Sequence, residues 1–118
     1  MNISEELYFE EKIINNTTIL KMHGSVNFFN FSEFKDKLYF LLENSDVCLD
    51  MHDIIGFASA GAGVLMAALE VSHTHKHTLY ILNPSRIVIM TIKATGFYSH
   101  FKVISSLKEI TERRNFND

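Results

Sequence analysis

The chain has 118 residues, of which 47% are hydrophobic, and a formal net charge of −3. That length fits one domain, the apolar share supports a real core, and the weak acidity excludes a strong electrostatic drive toward nucleic acid or anionic lipid. The single cysteine, Cys48, excludes an internal disulfide and any multi-thiolate zinc site.

Charge is uneven along the chain. Residues 1–59 carry 10 acidic and 4 basic side chains, whereas residues 60–118 carry 4 and 7. The basic excess is spread from Lys76 to Arg114 without a tight cluster and reads as solvated surface. The opening MNISEELYFEEK is acidic where a secretory signal is basic and then apolar. No apolar run approaches the ~18–20 residues a bilayer span needs. A cytoplasmic protein without membrane insertion is therefore expected.

Taken in order, residues 6–14 (ELYFEEKII) and 17–23 (TTILKMH) read as strands. Asn15-Asn16 between them marks a tight hairpin, since Asn tolerates positive φ. Gly24 is expected to end the second strand. FSEFKDKLYFLLE (31–43) places apolar residues at 31, 34, 38, 41 and 42, one face of a helix with Ser32 as its N-cap. VCLDMH (47–52) reads as a short buried strand carrying an inert Cys48. Residues 61–72 read as a helix entered through Gly61 and Gly63, TLYIL (78–82) as a strand, and SRIVIMTIKATG (85–96) as a helix capped by Ser85 and closed by Gly96. FKVIS (101–105) is a last strand and SLKEITERR (106–114) a last helix. The order β-β-α-β-α-β-α-β-α implies an α/β fold, with a mostly parallel sheet, an N-terminal hairpin and covering helices, in one domain over residues 1–118.

The stretch FASAGAGVL (57–65) is a junction, with one hydroxyl, Ser59, among alanines and glycines. A nucleophile elbow needs glycine two residues before and after its serine, but Phe57 occupies the first position. No suitable later acid and histidine accompany it. A phosphate loop is also excluded: Gly56 and Gly61 have the spacing, but Ala62 and Gly63 stand where lysine and Ser/Thr are required. Neither an enzyme nor a nucleotide cofactor is expected. What remains is a recognition loop opening a helix, where small residues admit another backbone and added phosphate would meet the helix dipole or disrupt an apolar contact. The plainer reading is that Ser59 caps the helix.

Three stretches together resemble one family. LDMHDIIGFASAGAGVL (49–65) follows the outline of a strand ending in an acid, an apolar pair, and D-S-[ST]-G-[LIA]-G opening a helix. GSVN (24–27) matches G-x-[LI]-[DN], and YILNPSRIVIMTIKATGFYSHFKVISSLKEI (80–110) matches a final strand, helix, glycine and strand. In these features the chain resembles the STAS domains, typified by bacterial anti-sigma factor antagonists.

The resemblance implies a STAS-like sheet with about four helices and a regulatory function in transcription through protein binding. The partner it implies is an anti-sigma factor serine kinase, which phosphorylates the hydroxyl just before G-[LIA]-G. Aligned by the glycines, Ala60 occupies that acceptor position, Ser59 the preceding serine and Ala58 the aspartate. The implied contact surface is Asn27, Ser59, Ala60, Gly61, Ala62 and Gly63, continued along the helix by Met66 and Glu70, the alternative for Met66 being a place in the core. Ser59 is the one remaining hydroxyl for phosphorylation, displaced by one residue or about 100° on a helix. The alternative is a non-switched STAS adaptor in a signalling or membrane-transport assembly, and a homodimer is left open.

Other features have plainer readings. His73, His75 and His77 in SHTHKH suggest a metal site but lack a second ligand cluster, and they suit a helix C-terminus. His23, His52 and His100 are expected at strand ends. Asp50 and Asp53 flank His52 as solvated carboxylates. Phe31 and Phe34 fit the core, while Phe28 or Phe29 is a candidate exposed anchor beside Asn27, the alternative being that both fold beneath the loop.

Overall fold

The computed structural model describes residues 5–111. The hairpin forms as expected: β1 (Tyr8–Ile14) and β2 (Thr17–Val26) pair antiparallel, with Asn15 and Asn16 at φ 50° and 64°. Helix α1 (Phe31–Asn44) leads to β3 (Asp46–Phe57), α2 (Ser59–Thr74) to β4 (Leu79–Leu82), and α3 (Arg86–Ala94) to β5 (Lys102–Ile104), preceded by a short 3₁₀ turn at Tyr98–His100. The five strands lie in chain order and, beyond the hairpin, pair parallel. A last helical turn is described at 108–111; the rest of the helix expected over 106–114 lies outside the described residues.

Sequential parallel strands joined by crossovers of one hand put their helices on one face. Phe34, Leu38 and Leu42 of α1, Leu65 of α2 and Ile92 of α3 accordingly share one core with Leu20, Met22, Leu49 and Ile81 of the sheet. The opposite face carries a smaller core, where Ile19, Cys48, Tyr80, Leu82 and Ile104 meet Ile110 and Leu107.

Three expectations are corrected. β3 extends to Phe57, well past residue 52, because after Asp50 it continues to pair with β2 although β4 has ended. Gly24 lies inside β2 rather than at its end. Its φ is +91°, it sits at a register shift, and a Cβ there would overlap the Glu6 carbonyl. Ser32 is not the cap of α1; Asn30 holds that position.

Gly96 takes the left-handed position after α3 with φ +80°, its amide bonded to Lys93 O at 3.0 Å. Space around it is open. The two glycines therefore separate conformational strain from steric exclusion. Gly24→Ala is expected to lower stability by about 3 kcal/mol, and Gly96→Ala by only about 1 kcal/mol. Urea unfolding of the two variants checks this ranking, which equal losses would contradict.

Candidate functional site

The parallel register places Val26 opposite Phe57, so the loops leaving β2 and β3 emerge side by side. The Ala58 amide closes the arrangement by donating to Val26 O at 2.9 Å. The first loop is held by two asparagines. Asn27 Oδ1 accepts from the amides of Phe29 (2.8 Å) and Asn30 (3.1 Å), while Asn30 Oδ1 accepts from the Asn27 amide (2.8 Å) and Asn30 Nδ2 donates to Ser25 O (2.9 Å). With its polar groups satisfied internally, this loop turns its aromatic residues outward. Phe28 is 76% exposed and Phe29 95%.

Across from it, α2 begins at Ser59 with Ala58 as N-cap and no side-chain capping bond. The cap reading of Ser59 is thus corrected: its side chain is exposed on the first helical residue. Gly61 lets α2 close onto the strands, since a Cβ would stand 2.8 Å from the Phe57 ring and 3.0 Å from Val26. Ala62 is 2% exposed and belongs to the core. Both positions are buried and pack the helix.

Asn27 is half-buried, Ala60 half-buried, and Ser59 and Gly63 exposed, with open space where a Gly63 Cβ would stand. Met66 is half-buried against the core, and Glu70 is exposed about 16 Å along the axis from Ser59. The structure therefore brings Asn27, Ser59 and Ala60 together at the carboxyl ends of β2 and β3, with Gly63 a turn further on, while Glu70 lies well apart. Helix α3 closes the other side, Thr91 Oγ1 donating to Phe57 O at 3.0 Å. Nothing in the sequence signalled Thr91, because its partner is a backbone group 34 residues away.

The histidines are placed differently from expectation. His23 and His52 lie within the lengthened strands, not at their ends. His23 stacks on Tyr8 (centroids 4.4 Å apart) and stands 2.5 Å from Glu10 and 3.5 Å from Asp53. Asp53 also meets His52 at 3.0 Å and Lys21 at 3.5 Å. The hydrogen bond from His52, aided by Lys21, holds the Asp53 carboxyl below the usual carboxylate range. His77 Nδ1 donates to Leu42 O at 2.5 Å, which fixes that nitrogen as the protonated one. No group of His, Cys, Asp or Glu among the described residues is arranged to hold a metal. No helix among them is long and apolar enough to cross a membrane.

The STAS domain family model matches residues 8–110, and the chain belongs to that family. No curated protein sequence matches it. Among solved structures, an anti-sigma factor antagonist from Mycobacterium paratuberculosis superposes with a TM-score of 0.80 at 11% identity, over 96% of this chain and 97% of that one. The unphosphorylated anti-sigma factor antagonist SpoIIAA gives 0.74 at 13% identity, over 92% and 96%. RsbS from Moorella thermoacetica gives 0.73 at 10% identity, over 92% and 97%. The fold is that of the anti-sigma factor antagonists.

Cys48 lies fully buried on the smaller core face, where burial, with the nearby Asp50 carboxylate, pushes its thiol up to about 12. The folded protein therefore keeps the proton while the unfolded chain loses it above roughly pH 8.5. Stability is expected to fall as pH rises past that value, by at most about 1.4 kcal/mol per pH unit from this group. Denaturant melts between pH 8 and 10 should show a steeper decline for the natural chain than for Cys48→Val. A thiol that reacts with Ellman's reagent faster than the protein unfolds would contradict the burial argument.

Proposed function

We propose that this chain is a regulatory protein-binding module that engages an anti-sigma factor serine kinase through the loop face at Asn27–Phe29 and Ala58–Gly63, without the phosphorylation switch usual for such antagonists. The observation that carries the reading is the bare Phe28–Phe29 pair beside an uncharged helix start. Two nearly fully exposed aromatic rings, held on a hydrogen-bonded loop, are a preorganised anchor for a protein partner. Beside them the acceptor position of the family is Ala60 and the neighbouring aspartate position is Ala58. Alanine at both keeps the surface in the uncharged state that an unphosphorylated antagonist presents, so engagement is constitutive. Ser59 is exposed but one residue out of phase, turned about 100° around the helix from the acceptor direction.

Among the described residues no catalytic constellation adjoins this face, and the module works by binding, in the cytoplasm of a bacterial cell. A non-switched adaptor subunit of a larger signalling or transport assembly is the second reading; it is favoured by the same two alanines, which remove the acceptor but leave a docking surface.

The test is intact-mass analysis with fragmentation of the protein from its own cells, followed by incubation of purified chain with its co-purifying kinase-like partner and ATP. The natural chain is expected to carry no phosphate at Ser59 and to take up none. Ala60→Ser is expected to gain one phosphate per chain and to lose at least tenfold in partner affinity once modified. Phosphate on Ser59 in the natural chain would overturn the constitutive reading, and an unmodified chain bound to a non-kinase assembly would transfer it to the adaptor.

A further inference from the structure

The sheet has one long free edge. Strand β1 is outermost, and no strand among the described residues pairs with its outer side. The two-residue turn at Asn15-Asn16 makes Ile14 and Thr17 a hydrogen-bonded pair, so Tyr8, Glu10, Lys12 and Ile14 bond inward to β2. The N–H and C=O groups of Phe9, Glu11 and Ile13 then point outward, a template for one more strand. Helix α1 packs on β2 and β3, which leaves the helical side of β1 open to a neighbour. At the other edge, β5 has three residues.

We propose that a second copy of this chain adds its own β1 to this edge, antiparallel, across a two-fold axis at Glu11. An axis normal to the sheet keeps every side chain on its own face, so it passes through a residue position rather than between two. Centred on Glu11, all seven residues of β1 are matched: Tyr8 with Ile14, Phe9 with Ile13 and Glu10 with Lys12, each twice. An axis at Glu10 or at Lys12 shortens the pairing and sets that residue against its own charge. Glu11 also meets its copy on the axis, but its charge is already answered by Lys37 Nζ at 2.6 Å.

What commits the edge to a copy is the charge left over on it. Lys12 has no ion-pair partner among the described residues, and Glu10 touches only His23 and stays 64% exposed. The same register gives each of them an opposite charge, and it lays Ile13, 72% exposed, beside Phe9 of the copy. Main-chain hydrogen bonds carry the affinity of strand addition, and the cross-strand side chains fix its register. Tyr8 lies opposite His23, toward the loop end of β2, so the two loop faces lie at opposite ends of the joined sheet. Under the function proposed above both remain free for partners; the pairing itself does not rest on that function.

Charge reversal tests the pairing and its register together. Glu10→Lys sets two lysines opposite each other and Lys12→Glu two glutamates, at both ends of the interface. Each variant alone is expected to dimerise at least about tenfold more weakly than the natural chain in sedimentation velocity across the micromolar range. Mixed in equal amounts, the two variants restore opposite charges at both places, and a heterodimer near the natural affinity is expected. Circular dichroism checks that each variant is folded. On the unaltered chain, amide exchange at Phe9, Glu11 and Ile13 should slow as concentration rises, while Glu10 and Lys12 keep the protection they have. Phe28→Ser/Phe29→Ser should leave the equilibrium unchanged. A monomer at every concentration overturns the proposal. So does a dimer that survives the single reversals, that the mixture fails to restore, or that the loop variant abolishes.

Discussion

The parallel pairing of β2 with β3 is the constraint from which the site follows. These are the two longest strands, and they stay in contact from Thr17 opposite Asp46 to Val26 opposite Phe57. Over the second half of that run β3 has no other strand beside it, since β4 stops opposite Asp50. The edge so freed is taken up by α3, through the Ser85 amide on Met51 O and the Thr91 hydroxyl on Phe57 O. Two register shifts within the pairing, one of them at Gly24, bring Val26 and Phe57 level, so both chains turn into their helices at the same height. Had β2 ended at Gly24, which pairs with Ile54, its loop would leave the sheet four residues short of Ala58, and Asn27 and Ser59 would not share a surface.

The composition of the α2 entrance then follows from packing as much as from recognition. Gly61 is required by the Phe57 ring and Val26, and Ala62 by the core. Small residues pull the helix start tightly onto the strand ends, leaving Ser59, Ala60 and Gly63 as the accessible ridge. Gly63 answers to no such packing demand, because a Cβ there would meet only open space. A glycine in the first turns of a helix costs up to about 1 kcal/mol relative to alanine, and here nothing inside the fold offsets that cost. The bareness of that ridge is a property of its outer surface.

The order of the elements was legible because their signals are local. Asn15-Asn16 for the hairpin, the 31–43 apolar stripe for α1 and Gly96 after α3 each act over a few residues, and each lies where its pattern indicated. What escaped depends on distant partners. The length of β3 is set by β2, so the strand read over 47–52 runs on to Phe57 through pairing that its own local pattern does not encode. The N-cap of α1 is decided by the Asn27–Asn30 exchange, not by Ser32, the residue type that most resembles a cap. The exposure of both Phe28 and Phe29 follows from that same exchange, which no periodicity encodes. The close packing of Gly61 likewise depends on the Phe57 ring beside it.

The chemistry of the site turns on what a helix N-terminus does with charge. The first turn of α2 leaves amides unpaired within the helix and carries a positive dipole end, so a phosphate or carboxylate there would be locally stabilised. Yet no acidic side chain occupies that turn, and no side-chain bond caps it. The favourable place for a negative charge is left uncharged, beside two exposed phenylalanines whose burial by a partner would make any retained charge costly to desolvate. Apolar contact and anion binding are opposed demands on the same few square ångströms. A surface that alternates between them needs a removable charge, and positions 58 and 60, both alanine, carry no group that could hold one.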